Sequence, residues 1–169
     1  MVYGNQFLNE KSYFSYSKLS LNDRISSTIK ELESFSGDKK LVKVFMLEPE
    51  TVGLTLYLLK FTPNDVKYII NNNDKYFVNS SMDYLDDDSG SLYSNENDFK
   101  NQLPKIYKYD KNSILLDYKI STGDLWAYSK KNNKFIYLNH NDTNDVKFYS
   151  LNQLIDLGKK IYNENKKEN

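Results

Sequence analysis

Between residues 113 and 149 the apolar runs lie too close together to be joined by anything longer than turns or short loops. Ser113 to Tyr118, Asp124 to Ser129, Lys134 to Leu138 and Lys147 to Tyr149 each alternate or run apolar, with polar breaks of a few residues between them. Parallel neighbours need a crossover of a dozen or more residues, so strands spaced this closely pair antiparallel. Two breaks carry turn chemistry outright: Ser121-Thr122-Gly123, and Lys130 to Asn133, which joins LWAYS to KFIYL as a hairpin over 124–138. Alternation in Leu125-Trp126-Ala127-Tyr128 puts Trp126 and Tyr128 on one face and Leu125 and Ala127 on the other. At least one of these faces needs a cover, and the stripe Leu151, Leu154 and Ile155 behind the capping residue Ser150 is the expected one.

Upstream, the spacing of apolar residues is helical. Ser20 or Asn22 can cap a helix near 22–35, with Ile25, Ile29 and Leu32 as its stripe and Gly37 beyond its end. Thr62-Pro63-Asn64-Asp65 reads as the start of a second helix near 63–72, since Pro suits the first helical position and Asp65 the positive helix end. Val66, Ile69 and Ile70 follow at helical spacing. Between these helices, Leu41 to Leu47 (LVKVFML) and Leu54 to Phe61 (LTLYLLKF) read as two strands, broken by Glu48-Pro49-Glu50-Thr51 closely enough for a hairpin. Tyr76 to Val78 is a further short strand, and Ile106 to Tyr109 one more apolar run in the series that continues to Tyr149. A last helix near 151–162 leaves a polar tail, 163–169, that reads as frayed. The expected architecture is therefore α+β: one domain over 1–169 with an N-terminal extension, 1–18, and a mainly antiparallel sheet. An N-terminal, a Pro-initiated and a C-terminal helix are expected to pack on that sheet.

Charge and composition narrow the function. The chain carries 23 basic and 23 acidic side chains and one His, so it has no basic surplus with which to neutralise phosphates. Nucleic acid is not an expected partner. The chain has no Cys, which removes disulfides, thiolate metal sites and thiol nucleophiles. The first residues show no basic segment followed by a continuous apolar one, and the longest apolar run, Val52 to Leu59, is far short of the ~20 residues of a membrane helix. A cytoplasmic location without a membrane partner is the expectation. Ala127 is the only alanine and Arg24 the only arginine, a usage that AT-rich coding produces, so the Asn-rich stretches say little about function.

Catalytic constellations are sparse. His140 stands alone in an Asn/Asp-rich loop, where a solvated turn residue is commoner than a general base. Asp83, Asp86, Asp87 and Asp88 do not fit a calcium loop, because Gly90 at its sixth position would put Leu85 at the first ligand position. No phosphate-binding, zinc-protease or serine-hydrolase motif occurs. No catalytic residue, metal site or cofactor is therefore expected. Two features remain as binding surfaces. The stretch 83–101 carries Asp83, Asp86, Asp87, Asp88, Glu96 and Asp98 and no basic residue before Lys100, a surface suited to a basic partner. Tyrosine, with 15 copies against one Trp, is the other, and Tyr128 and Tyr137 on the hairpin are its candidate contacts.

Two stretches resemble the SUKH superfamily, bacterial proteins that mostly act as immunity partners of toxins. FTPNDVKYIINNNDKYFVN at 61–79 is similar to that family's Pro-led helix, polar turn and short strand, with Pro63, Asp65, Lys67 and Ile70 on the pattern. Val66 stands where Tyr is usual and Asp74 where Gly is frequent. TGDLWAYSKKNNKFIYLNHNDTNDVKFYSLNQLIDL at 122–157 resembles the closing hairpin, strand and capped helix, through Gly123, Asp124, Ile136, Tyr137, His140, Ser150, Leu151 and Leu154. The resemblance covers about a third of the chain, and the segment 38–61 is longer than the family's spacing. It implies a non-enzymatic immunity protein that occludes the active site of a cognate toxin, such as a nuclease. The alternatives are a carboxylate-dependent hydrolase or transferase, and an accessory binding protein of a phage or mobile element.

Overall fold

The computed structural model describes residues 20–42, 44, 46–72, 102–118, 124–139 and 146–168. Among them the fold is α+β, with five helices and one four-stranded antiparallel sheet. Where the sequence reads as one domain, the chain groups into two compact units. The first joins residues up to 78 with 151–169, and the second is 79–150.

In the first unit, α1 (Leu21–Glu33) starts at Ser20, whose hydroxyl accepts the Asp23 N–H at 3.2 Å. Asp23 in its first turn and Lys30 in its last both complement the helix dipole. Its stripe Ile25, Thr28, Ile29 and Leu32 is buried. The run from Leu54, expected as a strand, belongs instead to α2 (Pro49–Leu58). Thr51 to Leu56 are all buried in this helix. A helix covered on every side needs no polar face, so its sequence loses the 3.6-residue period and looks like a central strand. Pro49 at the first helical position was the available signal, and it opens a helix here rather than breaking a strand. The expected strand over 41–47 is likewise reduced, among the described residues, to a 3₁₀ turn (Lys39–Leu41) and a single bridge at Val44. Val42, Val44, Met46 and Leu47 are buried.

The Pro-led helix forms as read. In α3 (Pro63–Asn71), Thr62 Oγ1 accepts the Asp65 N–H at 3.2 Å while Asp65 Oδ2 accepts the Thr62 N–H at 2.9 Å, a reciprocal capping box. Val66, Ile69 and Ile70 are its buried face. Lys39 Nζ reaches the same carboxylate at 2.7 Å and also donates to the Lys60 carbonyl at 2.8 Å. That second bond holds the bend after α2, where Lys60 takes a left-handed φ of 55°.

The C-terminal helix α5 (Leu151–Glu168) runs on beyond the expected end near 162. The tail 163–168 is helical rather than frayed, because its polar side chains find partners on α1. Tyr162 OH donates to Glu33 Oε2 at 2.6 Å, Lys166 Nζ pairs with Glu33 at 3.0 Å, and Asn165 Nδ2 donates to Ser26 Oγ at 3.3 Å. Lys166 and Lys167 also sit in the last turn, where cations favour the helix end. α5 packs along α2, and the two backbones meet at Gly53 and Gly158. Ile25, Ile29 and Leu54 form a core there, flanked by Leu58, Ile161 and Tyr162.

In the second unit a short helix, α4 (102–107), precedes β1 (Ile114–Tyr118), β2 (Leu125–Ser129), β3 (Lys134–Leu138) and β4 (Val146–Tyr149). The spatial order is β1-β2-β3-β4, all antiparallel. The hairpin pairs Leu125 with Leu138, Trp126 with Tyr137, Ala127 with Ile136 and Tyr128 with Phe135, so the two faces divide as the alternation requires. A register shift between Leu115 and Asp117 leaves Leu116 as the extra residue of a bulge. Leu125, Ala127, Ile136 and Leu138 bury themselves with Ile106 of α4, with Leu103, Leu115, Val146 and Phe148 packed around them. The apolar run at 106–109 is thus the end of a helix and the turn after it, because Leu103 and Ile106, three apart, share one helical face.

Candidate functional site

Of the partner contacts expected from sequence, Asp83, Asp86, Asp87, Asp88, Glu96 and Asp98 lie outside the described residues, as do His140 and the strand expected at Tyr76 to Val78. Tyr128 and Tyr137 lie within them and are core residues, 9% and 4% exposed. Cross-strand pairing collects Trp126, Tyr128, Phe135, Tyr137 and Tyr149 on one sheet face. Trp126 packs 4.7 Å from Tyr137, Tyr128 edge-on 4.9 Å from Phe135, and Tyr149 6.3 Å from Trp126. Such offset and edge contacts stabilise beyond the area they bury. Tyr137 OH accepts from Asn139 Nδ2 at 3.2 Å, and burial pushes the Tyr128 hydroxyl above the ordinary tyrosine range. Both rings are committed to the sheet, so the expectation that they face a partner is corrected.

Among the described residues of the second unit, the exposed tyrosines are Tyr107 and Tyr109, 37% and 38% exposed. They flank Lys108 where α4 runs into the turn before β1, and that turn is built on Asp110. The side chain of Asp110 faces inward: Oδ1 accepts the Asn112 N–H at 2.9 Å, and Oδ2 accepts the Ser129 hydroxyl at 2.9 Å and the Lys131 N–H at 3.2 Å. The first of these is the local turn that Asp makes with the residue two positions on. The other two clip this turn to the β2–β3 turn, 19 and 21 residues downstream. Ser129 Oγ in turn accepts from the Asn132 N–H and Nδ2 at 3.1 and 3.2 Å, and Asn133 closes the hairpin with a left-handed φ of 52°. The Asn112 and Lys131 N–H groups, outweighing burial, hold the Asp110 carboxyl below the usual carboxylate range, with the Ser129 hydroxyl and the Lys131 charge adding to this.

Around this clip stand Lys108, Lys111, Lys130, Lys131 and Lys134, all exposed. The register explains why they gather. Ile114 opposite Tyr128, Ser129 opposite Lys134 and Phe135 opposite Tyr149 place the start of β1, the end of β2, the start of β3 and the end of β4 at one end of the sheet. Tyr109 lies edge-on against Phe148 of β4 at 4.6 Å, and Lys108 Nζ sits 5.3 Å from the Tyr109 ring centre. The site is a preformed, tyrosine-bearing, lysine-rich end of a sheet. Its sequence signal was the pair YKYDKN at 107–112 and SKKNNK at 129–134, two Lys/Asn-rich turns that look like ordinary solvated breaks until Asp110 joins them.

Among the described residues no three acidic or imidazole side chains converge to hold a metal ion, and no helix is long and apolar enough to cross a membrane. Comparison of the chain with family models, with curated proteins and with solved structures finds no match.

Proposed function

We propose that this chain acts by binding another protein, as an intracellular immunity partner that covers the active site of a cognate toxin. The observation that carries the reading is the exposed pair Tyr107, at the end of α4, and Tyr109, in the following turn that the buried Asp110 anchors. Tyrosine contributes large contact area with few rotatable bonds and a polar tip, and it is enriched among the residues that dominate interface energy. A turn already clipped to its neighbour loses little further freedom on association. The order of elements adds support: a capped Pro63 helix, then the hairpin β2–β3, the short strand β4 and a helix preceded by Ser150 follow the sequence that the SUKH resemblance implies.

The test is capture and inhibition. The full chain, tagged and expressed in its source cell, is used to recover bound protein, and the recovered enzyme is assayed with increasing amounts of the chain. Loss of enzyme activity at one equivalent, with Tyr107→Ala/Tyr109→Ala binding about 30-fold more weakly, is the expected result. A captured enzyme that stays active when saturated with the chain rejects the immunity reading.

A further inference from the structure

We infer that the Asp110-clipped end of the sheet receives a carboxylate-rich surface of a protein partner; the inference rests on the protein-binding reading and specifies the chemistry of the face that docks. Lys108, Lys111, Lys130, Lys131 and Lys134 surround the clip, and among the described residues the one carboxylate between them is Asp110, 7% exposed and turned inward to three donors. The other carboxylates described in this unit stand elsewhere. Asp117 is 1% exposed within the sheet, and Asp124 precedes β2 at the opposite end from the β2–β3 turn. Among the described residues, Lys111, Lys130 and Lys134 have no carboxylate within ion-pair distance. Among the described residues the end of the sheet is therefore a positive surface, on a chain with no net charge, so its field is local and acts on a partner that presents matching charge at close range.

Two features favour an acidic protein over a nucleic acid strand. A strand binds by stacking successive bases on several open rings, and with the Tyr109 ring in contact with Lys108 and Phe148 only Tyr107 is left open at this end among the described residues. A neutral chain also lacks the overall positive field that draws a protein onto a polyanion.

The experiment measures binding of a fluorescein-labelled oligoglutamate to the full chain by anisotropy, from low to physiological salt. Three proteins are compared: wild type, Lys111→Glu/Lys130→Glu/Lys134→Glu, and the control Lys159→Glu/Lys160→Glu/Lys167→Glu, which makes the same charge change on exposed positions of α5. Lys131 is kept because its side-chain charge acts on Asp110, the carboxylate that anchors the clip. A parallel set with Gln in place of Glu reads out the same sites if the reversed charges prevent folding. The sheet-end variants should bind about tenfold more weakly with a shallower salt dependence, and the controls within about twofold of wild type. Equal losses in both variants, no loss in either, or tighter binding of an oligothymidylate of the same length would each overturn the inference. The two readings fail separately. A toxin neutralised equally well by the sheet-end variant sinks the docking face alone. Site-selective oligoglutamate binding by a chain that neutralises no captured enzyme leaves the acidic-partner surface standing and removes the immunity function.

Discussion

Replacing Gly158 by Ala should destabilise the protein by about 2 kcal/mol, although the same change in an open helix stabilises it. Alanine is favoured over glycine in a helix interior by up to ~1 kcal/mol, because glycine loses more backbone freedom on folding. Against that gain stands the crossing of α5 and α2. A Cβ on Gly158 would meet the carbonyl oxygen and carbon of Gly53 and the nitrogen of Leu54, all of them backbone atoms. Side chains can rotate away from an added methyl, whereas a helix backbone has to move as a body, so the cost belongs near the top of the ~1–3 kcal/mol range for overpacking. A cost of about 3 less a gain of about 1 leaves about 2 kcal/mol, which for a chain of this size lowers the melting temperature by ~4–8 °C. Thermal and urea unfolding followed by far-ultraviolet circular dichroism reads this directly. Gly53→Ala should behave alike, since its Cβ would meet the Leu154 carbonyl oxygen. The double variant should cost less than the sum, because helices already parted accept the second methyl more easily. A melting temperature at or above that of wild type for Gly158→Ala would show that the helices do not cross at these glycines.

Trp126, 1% exposed among Phe135, Tyr137 and Tyr149, should cost ~3–5 kcal/mol when replaced by Ala, and a loss below about 1 kcal/mol in a denaturant titration would refute its place in the core. At Asp65, burial pushes the carboxyl up but is outweighed by hydrogen bonds from Lys39, the Thr62 N–H and the Thr62 hydroxyl and by the Lys39 charge, so its folded value is depressed. Its stabilisation is then complete above the ordinary carboxylate value and lost as pH falls through the depressed one. Asp65→Asn should therefore lose stability at neutral pH and converge on wild type in strong acid, and a pH-independent difference in melting temperature would contradict this. Asp110→Ala should release both turns, seen as faster amide exchange at Asn112 and Lys131 with the β2–β3 ladder still protected; unchanged exchange at those two amides would mean that Asp110 does not hold the clip.

How much of this was legible in the sequence follows from the range of the interactions. Elements set by neighbouring residues could be read directly. Thr62, Pro63 and Asp65 lie within one turn of each other and specify the start of α3, and Lys130 to Asn133 specifies the β2–β3 turn because the strands on either side alternate. The stripe of α1 and the separation of Leu125 and Ala127 from Trp126 and Tyr128 follow from period alone. Where burial is two-sided, period disappears. α2 is covered all round and so shows no helical period, and Tyr128 and Tyr137, polar at the tip, carry no local sign of burial until cross-strand pairing stacks them with Phe135 and Trp126. The helical state of 163–168 depends on Glu33 and Ser26, more than 120 residues away in the chain. The candidate site is the same case: Asp110 and Ser129 are 19 residues apart, and no local pattern announces that one carboxylate will take the Ser129 hydroxyl and the Lys131 N–H together. Sequence determined the elements whose causes are local, and only the tertiary structure decided which turns meet and which tyrosines stay outside, because those outcomes depend on partners that chain order does not bring together.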